Sequence, residues 1–154
     1  MEQPLDDAHF MRLALAEAEH AFEQDEVPVG AIVVARDQVI ARAHNLCERL
    51  HDFTAHAEMQ AFTAASEYLG GKHLDQCTLY VTLEPCPMCA GAAFWTRVGK
   101  IVFGASDAKR GYQRWNNAAQ QHLTHPKTVV EGGVLEDECS ELLKTFFAQK
   151  RKKR

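Results

Sequence analysis

Two short motifs constrain the fold of this chain more than any other feature, because each places polar side chains where a helix begins. They read His56-Ala57-Glu58 and Pro85-Cys86-Pro87-Met88-Cys89. Cys86 and Cys89 are three positions apart, so on a helix they share one face. Pro87 is favoured at the first helical position, where its missing N–H costs nothing, and Cys86 is therefore the predicted N-cap.

The first motif also predicts a helix start. Residues two apart do not face each other within a regular helix, so His56 and Glu58 can converge only where the backbone is still entering the helix. Thr54, two positions before His56, is a candidate for the capping residue. This helix is predicted at about 55–68, with an end at Gly70 and Gly71.

The remaining pattern predicts a mixed sheet covered by helices. Asp6 or Asp7 can cap a first helix, and strands at about 29–34 and 39–43 form a hairpin across a short polar turn. Helices and strands then alternate along the chain, which favours a mixed sheet with helices packed on it. The length of 154 residues predicts one domain over 1–154.

The residue types in the two motifs point to a metal. His56, Cys86 and Cys89 supply one imidazole and two thiols, which leaves one position of a tetrahedral zinc open for water. Glu58 is then a proton carrier rather than a fourth ligand. A lone His-x-Glu is more often a solvated helix pair, and a lone C-x-x-C is also found in redox pairs and structural zinc knuckles. The proline before Cys86 disfavours the redox pair, and the chain has no second C-x-x-C, so both motifs together favour one catalytic zinc per chain.

This combination of motifs is typical of zinc-dependent nucleobase deaminases. In that chemistry zinc lowers the pKa of a water towards neutrality. Glu58 would accept a proton from this water, pass it to a ring nitrogen, and later protonate the departing amino group. Adenine treated in this way becomes hypoxanthine, so an adenosine in RNA becomes inosine.

The chain resembles the bacterial tRNA-specific adenosine deaminases of the cytidine-deaminase-like superfamily over nearly its whole length. The segments that carry the resemblance are residues 27–31, Asn45, and residues 51–58, 79–92 and 102–109.

The resemblance implies more than the motifs do. It implies an α/β/α three-layer sandwich with a central mixed sheet, a homodimer, and deamination of adenosine at the wobble position of a tRNA anticodon loop. It also implies that Asn45 hydrogen-bonds the base, and that the backbone of Ala57 and Glu84 frames the substrate pocket.

One segment departs from the family. Residues 110–117 read Arg110-Gly111-Tyr112-Gln113-Arg114-Trp115-Asn116-Asn117, where the family usually has small residues, so tRNA contacts cannot be transferred there. Phe94, Trp95 and Tyr112 are core or interface aromatics by default. For Tyr112 or Trp115, stacking on an unpaired base is the more specific alternative. Guanine and cytosine deaminases share the Pro-Cys-Pro-Met-Cys form, so a free nucleobase or nucleoside remains an alternative substrate.

Composition and charge bear on location and partners. No apolar run approaches the roughly 20 residues of a membrane helix, and the acidic N-terminus is not signal-like. A cytoplasmic protein is therefore predicted, with Cys47, Cys77 and Cys139 as free thiols and Cys139 in the core. The net charge is −4, yet the chain ends in a basic run at 150–154. Such a run is either a solvated tail or a phosphate-binding element, and the resemblance favours RNA binding.

Overall fold

The computed structural model describes residues 5–116 and 122–153. Within them the chain forms four α-helices, one 3-10 helix and five strands. The helices are α1 (Asp7–Glu23), α2 (Ala57–Leu69), α3 (Pro87–Thr96) and α4 (Glu136–Lys152), and the 3-10 helix is Tyr112–Trp115. The strands are β1 (Gly30–Ala35), β2 (Gln38–His44), β3 (Cys77–Leu83), β4 (Lys100–Ala105) and β5 (Val129–Glu131).

The five strands form one mixed sheet in the order β2-β1-β3-β4-β5. Strand β1 is antiparallel to both β2 and β3, whereas β4 is parallel to β3 and β5. The β1–β2 hairpin turns at Arg36 and Asp37, both of which have positive φ. Two positive-φ residues match the twist of the flanking strands, so the turn predicted for this segment is confirmed.

Helices cover both faces of the sheet, because apolar side chains in the strands point alternately to one face and the other. In β1, Ala31 and Val33 pack in a core with α2 and α3, whereas Ile32 and Val34 pack in a second core with α1. Cys139 of α4 belongs to this second core and is 1% exposed, as predicted. The structure is therefore the α/β/α sandwich with a mixed sheet that the resemblance implies.

Helix α1 lies unusually close to the sheet. Its N-cap is Asp6, whose side chain accepts the N–H of His9 at 2.8 Å, in agreement with the prediction. A Cβ atom on Gly30 would lie 2.1 Å from the carbonyl oxygen of Ala14, so only glycine allows this approach. No helix in the described part of the chain is long and apolar enough to cross a membrane.

Candidate active site

The site forms where α2 and α3 begin on the same face of the sheet. Helix α2 starts at Ala57 with His56 as its N-cap, and α3 starts at Pro87 with Cys86 as its N-cap. The start of α3 agrees with the sequence prediction, whereas α2 begins two residues after the predicted start at about 55, so that His56 precedes its first turn. Thr54, however, is not the cap of α2, because its N–H and its hydroxyl both donate to Asp52 Oδ1, at 2.8 and 2.7 Å.

The three candidate ligands converge. His56 Nδ1 lies 3.6 Å from Cys86 Sγ and 3.5 Å from Cys89 Sγ, and the three atoms lie within 4.8 Å of one another. A tetrahedral ion with bonds of about 2.3 Å to sulphur and about 2.1 Å to nitrogen separates such ligands by about 3.6 Å. The donor set and its spacing therefore fit zinc, with three protein ligands and a fourth position not supplied by this cluster.

Hydrogen bonds among the three candidate ligands shift the pKa values of all three groups. The pKa of Cys86 is lowered to about 4, first by a hydrogen bond from Cys89 and then by one from His56. The pKa of Cys89 is raised by that same hydrogen bond and by burial. The hydrogen bond with Cys86 also raises the pKa of His56. Cys86 is thus held as a thiolate, which is the form that binds a metal.

Glu58 lies in the first turn of α2 and is 4% exposed. Burial raises the pKa of its carboxyl to about 7, while its backbone N–H and the nearby His56 oppose this shift. A buried carboxyl next to a ligand, but outside the ligand cluster, suits a group that exchanges protons with bound reactants.

Asn45 is oriented by the start of α2. The side chain is 8% exposed, and its Oδ1 accepts the N–H of Ala57 at 2.8 Å. Because this oxygen is occupied, the amide Nδ2 is the group that Asn45 can offer to a substrate. Gln60 braces the same region, since its Nε2 donates to the carbonyl oxygens of His44 and Ala55 at 2.8 and 3.1 Å.

Glu84 supports the segment that follows β4. Its side chain is 5% exposed, and its two oxygens accept the N–H groups of Asp107 and Gln113, each at 3.1 Å. The residue was expected to act through its backbone alone. A Cβ atom on Gly111 would lie 2.2 Å from Glu84 Oε2, so glycine is required for the carboxylate to reach both donors.

Glu26 is a supporting residue that sequence reasoning missed. It is 1% exposed and accepts the N–H groups of Glu48 and Arg49 at 3.0 and 2.8 Å. These residues belong to the segment that joins Asn45 to His56. Glu26 follows Asp25 and Glu23 in an acidic run at the end of α1, so the sequence gives no local signal that sets it apart from its neighbours.

The aromatic residues of the 110–117 segment have different environments. Tyr112 is 2% exposed and donates its N–H to the carbonyl oxygen of Pro85 at 2.8 Å, so it is a core residue. Trp115 is 63% exposed. Asn117 lies outside the described residues.

The basic end of the chain is partly used within the protein. Lys150 forms an ion pair with Asp25 and lies over the ring of Phe146, 5.5 Å from its centroid. Arg151, Lys152 and Lys153 are exposed, and Arg154 lies outside the described residues. Only part of the basic run is therefore available to a partner.

The site and the fold define a class of enzyme. A mixed sheet that carries a His/Cys/Cys cluster and a buried glutamate at two helix starts is the arrangement of a nucleobase deaminase. The chain matches the model of the MafB19-like deaminase family over residues 5–151, and it belongs to this family.

Individual relatives narrow the class. The chain is 47% identical to the tRNA-specific adenosine deaminase of Bacillus subtilis over 150 residues, covering 96% of this chain and 92% of that protein. A solved structure from work on A-to-I editing by tRNA:A34 deaminases has a TM-score of 0.78 and 42% identity, covering 88% of this chain and 99% of that one. The guanine deaminase of Nitrosomonas europaea has a TM-score of 0.79 but 25% identity, covering 96% and 86%. The chain therefore belongs to the same family as the tRNA-specific adenosine deaminases.

Proposed function

We propose that this protein is a zinc-dependent deaminase that converts adenosine to inosine in RNA, at the wobble position of a tRNA anticodon. The observation that carries the proposal is the convergence of His56, Cys86 and Cys89 beside a buried Glu58. High identity to a tRNA-specific adenosine deaminase over nearly the whole chain supports the choice of substrate.

His56, Cys86 and Cys89 are the residues that would hold one zinc per chain. Zinc supplies a hydroxide nucleophile near neutral pH and polarises the reacting centre. The two thiol ligands lie at the start of α3, where the helix dipole favours the thiolate form.

Glu58 carries the protons. It accepts a proton from the attacking water and donates it to the ring nitrogen beside the amine-bearing carbon. A C–O bond forms at that carbon, and Glu58 then takes the remaining proton from the new hydroxyl group. It passes this proton to the amine, the C–N bond breaks to release ammonia, and the oxygen is left as a carbonyl. Burial keeps bulk water from competing for these transfers.

Asn45, Ala57 and Glu84 form the rest of the substrate pocket in this proposal. Because Ala57 occupies Oδ1 of Asn45, the Nδ2 group donates to an acceptor on the edge of the base. The backbone of Ala57 and Glu84 frames the pocket, while the Glu84 side chain fixes the neighbouring segment.

The proposal includes the state and location of the protein. One domain spans residues 1–154, the protein acts in the cytoplasm, and its basic end contributes phosphate contacts to tRNA.

The protein forms a homodimer in this proposal, and the groove between α2 and α3 offers a surface for it. Trp95 is 78% exposed beside a cavity of about 700 Å³ in this groove. Light scattering should give twice the chain mass, and Trp95→Arg should give monomers.

Two measurements test the chemistry. Purified protein should contain close to one zinc per chain, and His56→Ala or Cys86→Ser should remove it. Glu58→Ala should keep zinc and fold but lose turnover, because Glu58 is not a ligand. A structural zinc module that merely binds RNA would instead be unaffected by Glu58→Ala, and fully active metal-free protein would exclude the zinc proposal.

A free-base deaminase is the second candidate. It is supported by the structural similarity to guanine deaminase and by the bulky 110–117 segment. Anticodon stem-loop RNA and a panel of free bases and nucleosides should be offered in parallel, with inosine and ammonia as readouts. Rapid turnover of guanine or cytosine without inosine in the RNA would reverse the choice.

A further inference from the structure

Residues 107–116 form a loop that is fixed to the active site at its base. Glu84 binds the loop at two points, the N–H of Asp107 at its start and the N–H of Gln113 in the 3-10 helix. Tyr112 is buried and donates to the carbonyl oxygen of Pro85, the residue directly before the ligand Cys86. The loop is therefore held next to the metal ligands by the residues that precede them.

The outer part of this loop is basic and aromatic. Lys109, Arg110 and Arg114 are the charged residues of 108–116, and all three are exposed. Within the described part of the chain, Lys109 and Arg110 form no ion pair. Arg114 braces the loop, since its guanidinium donates to the carbonyl oxygen of Lys109 at 3.2 Å. Asp107 is the one acidic residue of the loop, and its Oδ1 accepts the N–H groups of Lys109 and Arg110 at 3.2 and 3.0 Å. The three basic side chains outnumber it, and a net positive loop on a chain of net charge −4 favours an anionic partner.

Trp115 lies one turn of 3-10 helix beyond the buried Tyr112. In such a helix, residues three apart lie above one another and are separated by about 6 Å. The helix therefore leads from the protein core to an exposed indole. An exposed aromatic side chain beside basic residues is the combination that binds unpaired bases and their phosphates.

We propose that this loop is a contact surface for the single-stranded RNA that flanks the target adenosine. Trp115 stacks on a neighbouring base, and Lys109 and Arg110 bind phosphate. This inference rests on the proposed function. It adds an RNA contact at residues that the resemblance to the tRNA-specific adenosine deaminases does not cover. Because Glu84 and Tyr112 fix the loop beforehand, little conformational entropy is lost when RNA binds.

Trp115→Ala and Trp115→Phe test the stacking contact. Their Kd for an anticodon stem-loop RNA should be measured at fixed salt, with zinc content and the single-turnover rate at saturating RNA as further readouts. Trp115→Ala should raise Kd about tenfold, because a base–aromatic stack contributes roughly 1–3 kcal/mol. Trp115→Phe should retain most of the affinity, and neither variant should change zinc content or the saturated rate.

Arg110→Gln tests the phosphate contact, with Arg12→Gln as a matched control. Arg12 is an exposed arginine of α1, on the opposite face of the sheet. Each lost phosphate contact should reduce the slope of log Kd against log salt by about 0.7. We expect this reduction for Arg110→Gln and an unchanged slope for Arg12→Gln.

The outcomes separate this surface from the proposed function. Wild-type affinity in Trp115→Ala, equal losses in the alanine and phenylalanine variants, or equal slopes in the two arginine variants would overturn the surface alone. A large fall in the saturated rate of Trp115→Ala would show that the tryptophan acts in the pocket and would also overturn it. Wild-type protein that neither binds nor deaminates the RNA would refute the proposed function and this surface with it.

Discussion

Glu26→Gln tests whether one buried carboxylate holds the chain between Asn45 and His56. Its two oxygens accept the N–H groups of Glu48 and Arg49, and the side chain is 1% exposed. Glutamine has one acceptor oxygen, so one N–H loses its partner and faces an amide NH2 group instead. A hydrogen bond to a charged group contributes roughly 1.5–3 kcal/mol, and we expect the free energy of unfolding to fall by about 2 kcal/mol.

The assay is urea unfolding at constant zinc, combined with amide hydrogen exchange. In a parallel thermal melt, the expected loss of about 2 kcal/mol should lower the melting temperature by about 4–8 °C for a chain of this length. The N–H groups of Glu48 and Arg49 should exchange faster, while those of the sheet should change only as global stability does. Glu23→Gln is the matched control, because Glu23 is an exposed carboxylate of α1, and its effect should stay within about 0.5 kcal/mol.

The result that would refute the reasoning is specific. If Glu26→Gln keeps the protection of both N–H groups and the stability of the wild type, the carboxylate does not hold the segment. If stability falls but exchange at Glu48 and Arg49 follows the sheet, the loss is global and the local role is wrong.

The remaining predictions concern the pocket, the packing of α1 and the basic end. Asn45→Asp keeps the oxygen that accepts the Ala57 N–H but lacks the amide donor. Zinc content should therefore be retained while kcat/KM for RNA falls by roughly 10–100-fold. An unchanged kcat/KM would exclude the donor role of Asn45. Gly30→Ala should destabilise the protein by about 3 kcal/mol in urea unfolding, because the added Cβ would meet the backbone of α1. The control is Gly91→Ala, whose Cβ meets nothing within 4 Å, and it should be neutral or stabilising. Deleting residues 151–154 keeps the Lys150–Asp25 pair. The deletion should raise the KM for RNA and lower the salt dependence of binding, without changing the single-turnover rate at saturating RNA. An unchanged KM and salt slope would show that residues 151–154 are a solvated tail that does not bind RNA.

Features set by local chemistry could be predicted from the sequence. Pro87 and Cys86 indicate the start of α3 through a backbone preference that needs no distant partner. The ligand residues could be proposed together because their types and spacing are specific to one kind of metal site. Thr54 shows the limit of this reasoning, since its hydroxyl donates to the nearby Asp52 and leaves His56 as the N-cap.

Features that depend on distant contacts could not be predicted. Glu26 binds N–H groups 22 and 23 positions away, and Glu84 binds N–H groups 23 and 29 positions away. No spacing in the sequence relates these carboxylates to their donors. Glutamates are rarely buried, so both side chains would be expected on the surface. The orientation of Asn45 is another such case, because it follows from where the first N–H of α2 lies in space.

The buried carboxylates of Glu26 and Glu84 hold segments of the chain without fixing the side chains of those segments. Each binds backbone N–H groups, which every residue except proline has, so the side chains of the bound segments are not constrained by the anchor. The loop held by Glu84 can therefore carry Trp115 and Arg110 as exposed side chains, provided that Gly111 is kept for close approach. The proposed zinc ligation and proton transfer depend on the starts of α2 and α3, which this loop does not form. Replacing the exposed residues of the loop should thus alter RNA affinity, whereas replacing Glu84 should alter the position of the whole loop.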